Sequence, residues 1–74
     1  MIILKNPSYD SAFIGVSTDN QTVYDYNKMV EFLVENDGMT EEEAADFISY
    51  NTLRALPYMG EHHPIVIQTI SEND

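Results

Sequence analysis

Two adjacent histidines beside an acid, Glu61-His62-His63, are the residues of this sequence whose types best suit metal binding. Imidazole nitrogen is a common metal ligand. Neighbouring side chains of an extended segment point to opposite sides, so two consecutive histidines rarely bind one ion. A zinc site would need further ligands, and the chain has no cysteine to supply them. We therefore predict a solvated loop here, with no metal and no other cofactor.

The sequence contains no clear arrangement of residues for catalysis. Nucleophilic catalysis needs a serine or similar group beside a base that an acid orients. None of the serines lies in a nucleophile-elbow pattern, and the three glycines are too widely separated to form a phosphate-binding loop. Carboxylates are abundant, but most of them lie at a predicted exposed helix start. We predict that the protein is not an enzyme.

A run of acidic residues between positions 31 and 46 is the most informative pattern, because no basic residue interrupts it. Lys28 precedes the run and Arg54 follows it. Spaced carboxylates can replace backbone phosphates and so occupy a basic groove built for nucleic acid. A solvated helix surface explains the same pattern equally well. The predicted partner-binding carboxylates are Glu31, Glu35, Asp37, Glu41, Glu42, Glu43 and Asp46.

Two tyrosines, Tyr50 and Tyr58, flank Arg54 and complete the predicted partner-binding set. Tyrosine and arginine are frequent anchors of protein interfaces. In a small domain, however, a tyrosine more often borders the core with its hydroxyl group in water. Both interpretations remain open from the sequence.

The charge of the chain restricts the partners that it can have. Its 74 residues carry a net charge of −10, from 13 acids against 3 bases. Free nucleic acid and anionic membranes attract basic proteins, so we expect neither as a direct partner. A basic protein surface fits the sign, and solubility alone is the alternative explanation. The lack of cysteine favours a reducing compartment, and no apolar stretch is long enough to cross a membrane.

Three strands are predicted from apolar and β-branched runs. Residues 12–16 indicate a mostly buried strand, and residues 21–24 indicate a second strand beyond a polar turn. The two are expected to form an antiparallel hairpin with a loop of about three to five residues. Residues 65–70 are β-branched nearly throughout and predict the third strand.

Two helices are predicted between the second and third strands. Asp25 is placed to cap a helix whose apolar residues follow at helical spacing, and Gly38 ends that helix. Thr40 and Glu43 form the capping box of a second helix. Because residues before a proline avoid helical geometry, Pro57 limits this helix to about residue 53 or 54.

These elements predict a small α+β domain of two layers, in the order β-β-α-α-β, with a three-stranded antiparallel sheet packed on a helical hairpin. The last strand is expected to pair with the first, whose continuous apolar run suits a central position. The domain is expected to span residues 11–70, between a lead-in segment of residues 1–10 and a frayed tail of residues 71–74. Phe13 or Val16 on the uncovered sheet face would favour a homodimer.

Several stretches of the chain resemble a known group of proteins. The residues concerned are 24–31 (Tyr-Asp-Tyr, then Lys-Met-Val-Glu), 37–44 (Asp-Gly-Met-Thr, then Glu-Glu-Ala), 50–60 (Tyr-Asn-Thr through Met-Gly) and 64–67 (Pro-Ile-Val-Ile). Together they resemble small acidic proteins carried by bacteriophages and prophages, mostly without assigned function. The resemblance implies a phage accessory protein in the bacterial cytoplasm, similar to inhibitors of host defence nucleases such as anti-CRISPR proteins that imitate DNA.

Three hypotheses follow for the function. The first is an inhibitor from a phage or mobile element that binds the basic surface of a nucleic-acid-handling host protein, such as a CRISPR effector. The alternative is a dimeric structural or assembly module that does not imitate nucleic acid. The third is an enzyme or metal protein that uses His62, His63 and nearby acids.

Overall fold

The computed structural model describes residues 2–5 and 7–70. In this part of the chain, three strands and two α-helices form a small α+β domain with a mixed sheet. The frayed tail predicted for residues 71–74 lies outside the described residues. No helix of the described part is long and apolar enough to span a membrane.

The strands and α-helices lie close to where the sequence predicts them. The strands are β1 (Phe13–Val16), β2 (Thr22–Asp25) and β3 (Ile65–Ile67), and the α-helices are α1 (Tyr26–Asp37) and α2 (Glu41–Phe47). The exact order β-β-α-α-β is not reproduced, because three short helical segments accompany these elements. They are a 3-10 helix at Asp10–Ala12, a π-helix at Ile48–Leu53 and a 3-10 helix at Leu56–Met59.

The pairing of the strands differs from the prediction. The sheet order is β1-β2-β3, with β1 antiparallel and β3 parallel to the central strand β2. The predicted antiparallel sheet, with the last strand paired to the first, is therefore wrong. Both α-helices lie between β2 and β3, and such a crossover returns the chain parallel to the strand that it left. The apolar run of β1 lies at an edge, where three of its four residues are exposed.

Helix α1 begins and ends as the sequence predicts. The carboxylate of Asp25 accepts hydrogen bonds from the backbone N–H groups of Asn27 at 2.9 Å and Lys28 at 3.4 Å. These groups have no partner within the helix, so the cap stabilises its first turn. Gly38 follows the helix with a φ of 68°, a left-handed conformation that glycine adopts without steric cost.

Helix α2 has the predicted capping box but an unpredicted ending. The Glu43 N–H donates to the Thr40 hydroxyl at 3.1 Å, and the Thr40 N–H donates to the Glu43 carboxylate at 2.9 Å. The helical path ends near Leu53, as expected, but its last six residues form the π-helix. The Asn51 side-chain amide donates to the Phe47 carbonyl, four residues back, at 3.1 Å.

The core joins the inner faces of both helices to the central strand. Its buried apolar residues are Leu4, Tyr9, Ala12, Tyr24, Met29, Leu33, Ala44 and Ile48. Leu4 and Tyr9 belong to the segment 1–10, which the sequence separates from the domain. The N–H of Leu4 donates to the Tyr24 hydroxyl at 3.1 Å, and the Thr22 hydroxyl donates to the carbonyl of Ile2. The N-terminal segment is therefore packed against β2.

Candidate protein-binding surface

All seven carboxylates of the acidic run are exposed. Glu31, Glu35 and Asp37 lie on α1, and the other four lie on α2. Three of the four occupy the first turn of α2, where the positive end of the helix dipole favours negative charge. The α2 end of this surface therefore carries charge that also stabilises the helix.

A groove between α1 and the first 3-10 helix collects part of this charge. The groove has a volume of about 660 Å³ and contains the side chains of Asp10, Glu31 and Glu35 together with that of Lys28. Three acidic residues and one basic residue thus border one groove. Asp10 was not among the predicted residues, because the sequence places it in the lead-in segment. The negative charge of Asp10 was the one property in the sequence that could have assigned it to the acidic surface.

A second groove runs between the two α-helices. Glu31 of α1 and Glu41 of α2 lie on its rim, and Val30 and Ala45 contribute apolar surface. Glu31 borders both the first and the second groove. Glu31 therefore lies between the other acids of α1 and those of α2.

A third groove, shallower and more open to solvent than the other two, lies where α2 passes into the π-helix. It has a volume of about 360 Å³ and combines the side chains of Met39, Phe47 and Tyr50 with those of Glu43 and Asp46. Asp37 and Glu42 are exposed but border none of the three grooves. The structure therefore places Glu31, Glu35 and Glu41 along two grooves, and Glu43 and Asp46 in another.

The two predicted tyrosines have different surroundings. Tyr50 is 66% exposed, and the guanidinium of Arg54 lies 5.8 Å from the centre of its ring, within the range of a cation–π interaction. Tyr58 is 90% exposed and lies on the 3-10 helix Leu56–Met59. Tyr50 shares a groove with acids of the predicted surface, whereas Tyr58 belongs to a different element.

The two histidines lie in a loop before β3, as the sequence predicts, and both rings contact backbone carbonyl groups. Nδ1 of His62 lies 3.1 Å from the carbonyl oxygen of Asp19, and Nδ1 of His63 lies 2.8 Å from that of Pro64. A carbonyl oxygen only accepts hydrogen bonds, so each ring donates from Nδ1. Among the described residues, no group of three or more His, Cys, Asp or Glu side chains is placed to hold a metal ion.

One titratable group behind the acidic surface has a shifted pKa. Tyr9 is buried with its ring edge-on to Phe32, 5.8 Å between centres. Its hydroxyl finds no hydrogen-bond partner of good geometry among residues 2–5 and 7–70. Burial raises the pKa of Tyr9, and the carboxylate of Asp37 adds to the rise, while the nearby Thr52 hydroxyl opposes it.

No protein-family model, curated protein or solved structure matches this chain. A function must therefore be inferred from the described surface itself.

Proposed function

We propose that this protein inhibits a nucleic-acid-handling protein by binding its basic surface through the carboxylates of α1 and α2. The observation that carries the proposal is the position of Glu31, which borders one groove with Glu35 and another with Glu41. Acids of two helices can thus contact one basic partner. The resemblance to phage proteins supplies the setting, which is the cytoplasm of a bacterial host and a CRISPR-type effector as the target.

The chemistry of carboxylates supports this choice of partner. Carboxylates accept strong, charge-assisted hydrogen bonds from arginine and lysine, as phosphates do. A net charge of −10 on 74 residues also attracts a basic surface over a distance and speeds the encounter. The same charge repels free nucleic acid and anionic lipid, so neither is part of the proposal. A protein of this kind would compete with nucleic acid for the same cleft.

Charge reversal on the two helices tests the proposal. In Glu31→Lys/Glu41→Lys and in the control Asp19→Lys/Glu61→Lys, two exposed acids become lysines, so both variants have the same net charge of −6 (derived from −10 in). The control changes lie in the β1–β2 turn and the loop before β3. Each protein is used as bait in lysate of a bacterial host, and double-stranded DNA is then added to the captured material.

The proposal predicts that the wild type and the control capture a basic protein and that Glu31→Lys/Glu41→Lys (the helix variant) does not. Added DNA is expected to displace the captured protein. Equal capture by both variants, or capture that DNA does not affect, would contradict it. Thermal unfolding of each bait, followed by circular dichroism, establishes that both variants are folded.

A dimeric assembly module is the second candidate, and the edge strand β1 favours it. Phe13, Ile14 and Val16 are 43%, 51% and 48% exposed, and exposed apolar surface can mark contacts between proteins. Sedimentation equilibrium separates the two candidates. A dimer held by apolar packing persists as salt rises, whereas binding driven by charge weakens. A monomer at every salt concentration would remove the second candidate.

A further inference from the structure

We propose that the groove formed by Met39, Phe47 and Tyr50 (the apolar groove) binds a basic amphipathic helix of the partner. One apolar side chain of that helix enters the groove, and lysine or arginine residues beside it meet Glu43 and Asp46. This inference rests on the proposed function and adds to it the chemistry of the segment that the partner must present.

The apolar groove is built from residues that meet on one face of the helical path. Glu43 and Phe47 are four residues apart on α2, which places them on one side of that helix, and Tyr50 of the π-helix borders the same groove. Met39 comes from the turn before the Thr40 cap and borders the same groove. Met39 and Phe47 are half-buried and pack against the core, so the apolar base of this shallow groove is fixed. Tyr50 is 66% exposed and borders it.

Charge complementarity selects the occupant. Both acids of the groove, Glu43 and Asp46, are exposed. One oxygen of Glu43 accepts from the Thr40 N–H at 2.9 Å, which holds this carboxylate at the rim. A surface with acids beside an apolar base complements a helix whose apolar stripe is bordered by cations. Amphipathic helices of this kind bind in grooves through spaced apolar side chains. An acidic or neutral helix would leave these carboxylates facing like charge or no charge.

The aromatic ring of Tyr50 adds a second means of recognising cations. The Arg54 guanidinium lies 5.8 Å from its centre, so this ring already accepts a cation within the chain. A partner arginine can use the exposed part of the same ring, because arginine stacks on aromatic faces. Exposed ion pairs alone contribute little binding free energy, whereas an aromatic anchor that is desolvated in an interface contributes much more. The apolar groove therefore supplies binding that persists in salt.

The test uses two synthetic peptides of about 14 residues made of lysine and leucine, a length at which helices are marginally stable. In the first peptide the leucines lie on one face of a helix, and in the second the same residues are arranged without a face. Binding is measured by fluorescence anisotropy at about 0.3 M salt, where surface charge is strongly screened. Tyr50→Ser is compared with Tyr58→Ser, which removes an exposed tyrosine from another element, and with Tyr50→Phe, which keeps the ring.

We expect the first peptide to bind the wild type, Tyr58→Ser and Tyr50→Phe alike, and to bind Tyr50→Ser at least about fivefold more weakly, as loss of an interface anchor does. The second peptide is expected to bind all four proteins weakly and equally. Equal binding of the first peptide to Tyr50→Ser and Tyr58→Ser would overturn the inference.

The variant Glu31→Lys/Glu41→Lys, measured with both peptides at about 0.03 M salt so that surface charge is less screened, separates this inference from the proposed function. If charge reversal weakens both peptides but Tyr50→Ser has no effect, the acidic surface stands and the apolar groove fails. If Tyr50→Ser weakens the first peptide but charge reversal changes neither, the apolar groove stands and the wider acidic surface fails. Similar thermal unfolding of Tyr50→Ser and Tyr58→Ser excludes misfolding as the cause of a difference.

Discussion

The hydroxyl of Thr69 donates a 3.0 Å hydrogen bond to Oδ2 of Asp25, while Oδ1 of the same carboxylate caps helix α1. One buried side chain thus joins the end of the central strand, the start of α1 and the segment that follows β3. These are the elements that set the crossover between the two parallel strands. The carboxylate of Asp25 therefore helps to position α1 and the acids that it carries.

We predict that Asp25→Ala lowers the free energy of unfolding by about 2 kcal/mol, because a helix cap and a hydrogen bond are both lost. Thr69→Val removes only the second interaction and is expected to cost about 1 kcal/mol. Asparagine caps helices about as well as aspartate, so Asp25→Asn is expected to stay closer to the wild type than Asp25→Ala. Urea denaturation followed by circular dichroism measures all three values. Equal stability of Asp25→Ala and the wild type would contradict the assigned role.

Replacement of Gly38 by alanine is expected to lower the free energy of unfolding by about 1 kcal/mol. Apart from Gly38 itself and its two chain neighbours, no described heavy atom lies within 4 Å of the position that a Cβ would occupy, so the cost arises from the φ of 68°. Asparagine tolerates this conformation better than alanine, so Gly38→Asn is the matched control and is expected to cost less. The ranking is measured by urea denaturation, and an alanine variant as stable as the asparagine variant would be inconsistent with the left-handed conformation.

The acidic surface is expected to reduce stability through repulsion between like charges. Glu31 and Glu35 lie four residues apart on α1, where like charges destabilise a helix by a few tenths of a kcal/mol. Glu35→Gln is therefore expected to raise the free energy of unfolding by about 0.3 kcal/mol, and added salt is expected to stabilise the wild type more than this variant. Urea titrations at low and high salt test both expectations. A loss of stability in Glu35→Gln would indicate that Glu35 has a favourable partner.

The raised pKa of Tyr9 predicts a loss of stability in alkali. The ordinary pKa of a tyrosine is 10.0, so the unfolded chain releases this proton as the pH passes that value, while the folded protein still holds it. The unfolded state then binds fewer protons, and stability falls as the pH rises above about 10. Below that pH, Tyr9 is protonated in both the folded and the unfolded state, so it does not change the dependence of stability on pH.

Because the chain has five tyrosines, the contribution of Tyr9 is isolated by comparison with Tyr9→Phe. This variant cannot ionise at position 9, and it also removes a buried hydroxyl that has no hydrogen-bond partner of good geometry among the described residues. It is expected to equal or exceed the wild type in stability near neutral pH and to lose less stability in alkali. Parallel pH dependences for the two proteins would contradict the assignment.

Local signals in the sequence predicted both helices and their caps. The carboxylate of Asp25, the capping box of Thr40 and Glu43, and the glycine at position 38 each act through neighbouring backbone groups, so a few residues are sufficient to identify them. The helical path also ends near the predicted residue, because Pro57 acts on residues close to it. The antiparallel β1–β2 hairpin was predictable for the same reason.

Long-range packing was not predictable from these signals. The apolar run of β1 suggested a buried central strand, but an apolar strand can equally lie at an exposed edge, and periodicity alone does not distinguish the two. The burial of Leu4 and Tyr9 depends on contacts with residues far along the chain. For the candidate surface, the exposure of the acids was predictable from helix periodicity. That Glu31 borders two grooves, and that Asp10 borders one of them, could be seen only from the fold.

The salt dependence of binding to the captured partner tests the central claim most directly. A partner that pairs with the carboxylates of α1 and α2 is bound less tightly as salt rises, and the loss is expected to be steep for the wild type and for Asp19→Lys/Glu61→Lys. Reversing Glu31 and Glu41 removes two of the paired charges, so the helix variant is expected to bind more weakly and with a shallower salt dependence. The same affinity and the same dependence on salt for both variants would contradict an interface formed by these two helices.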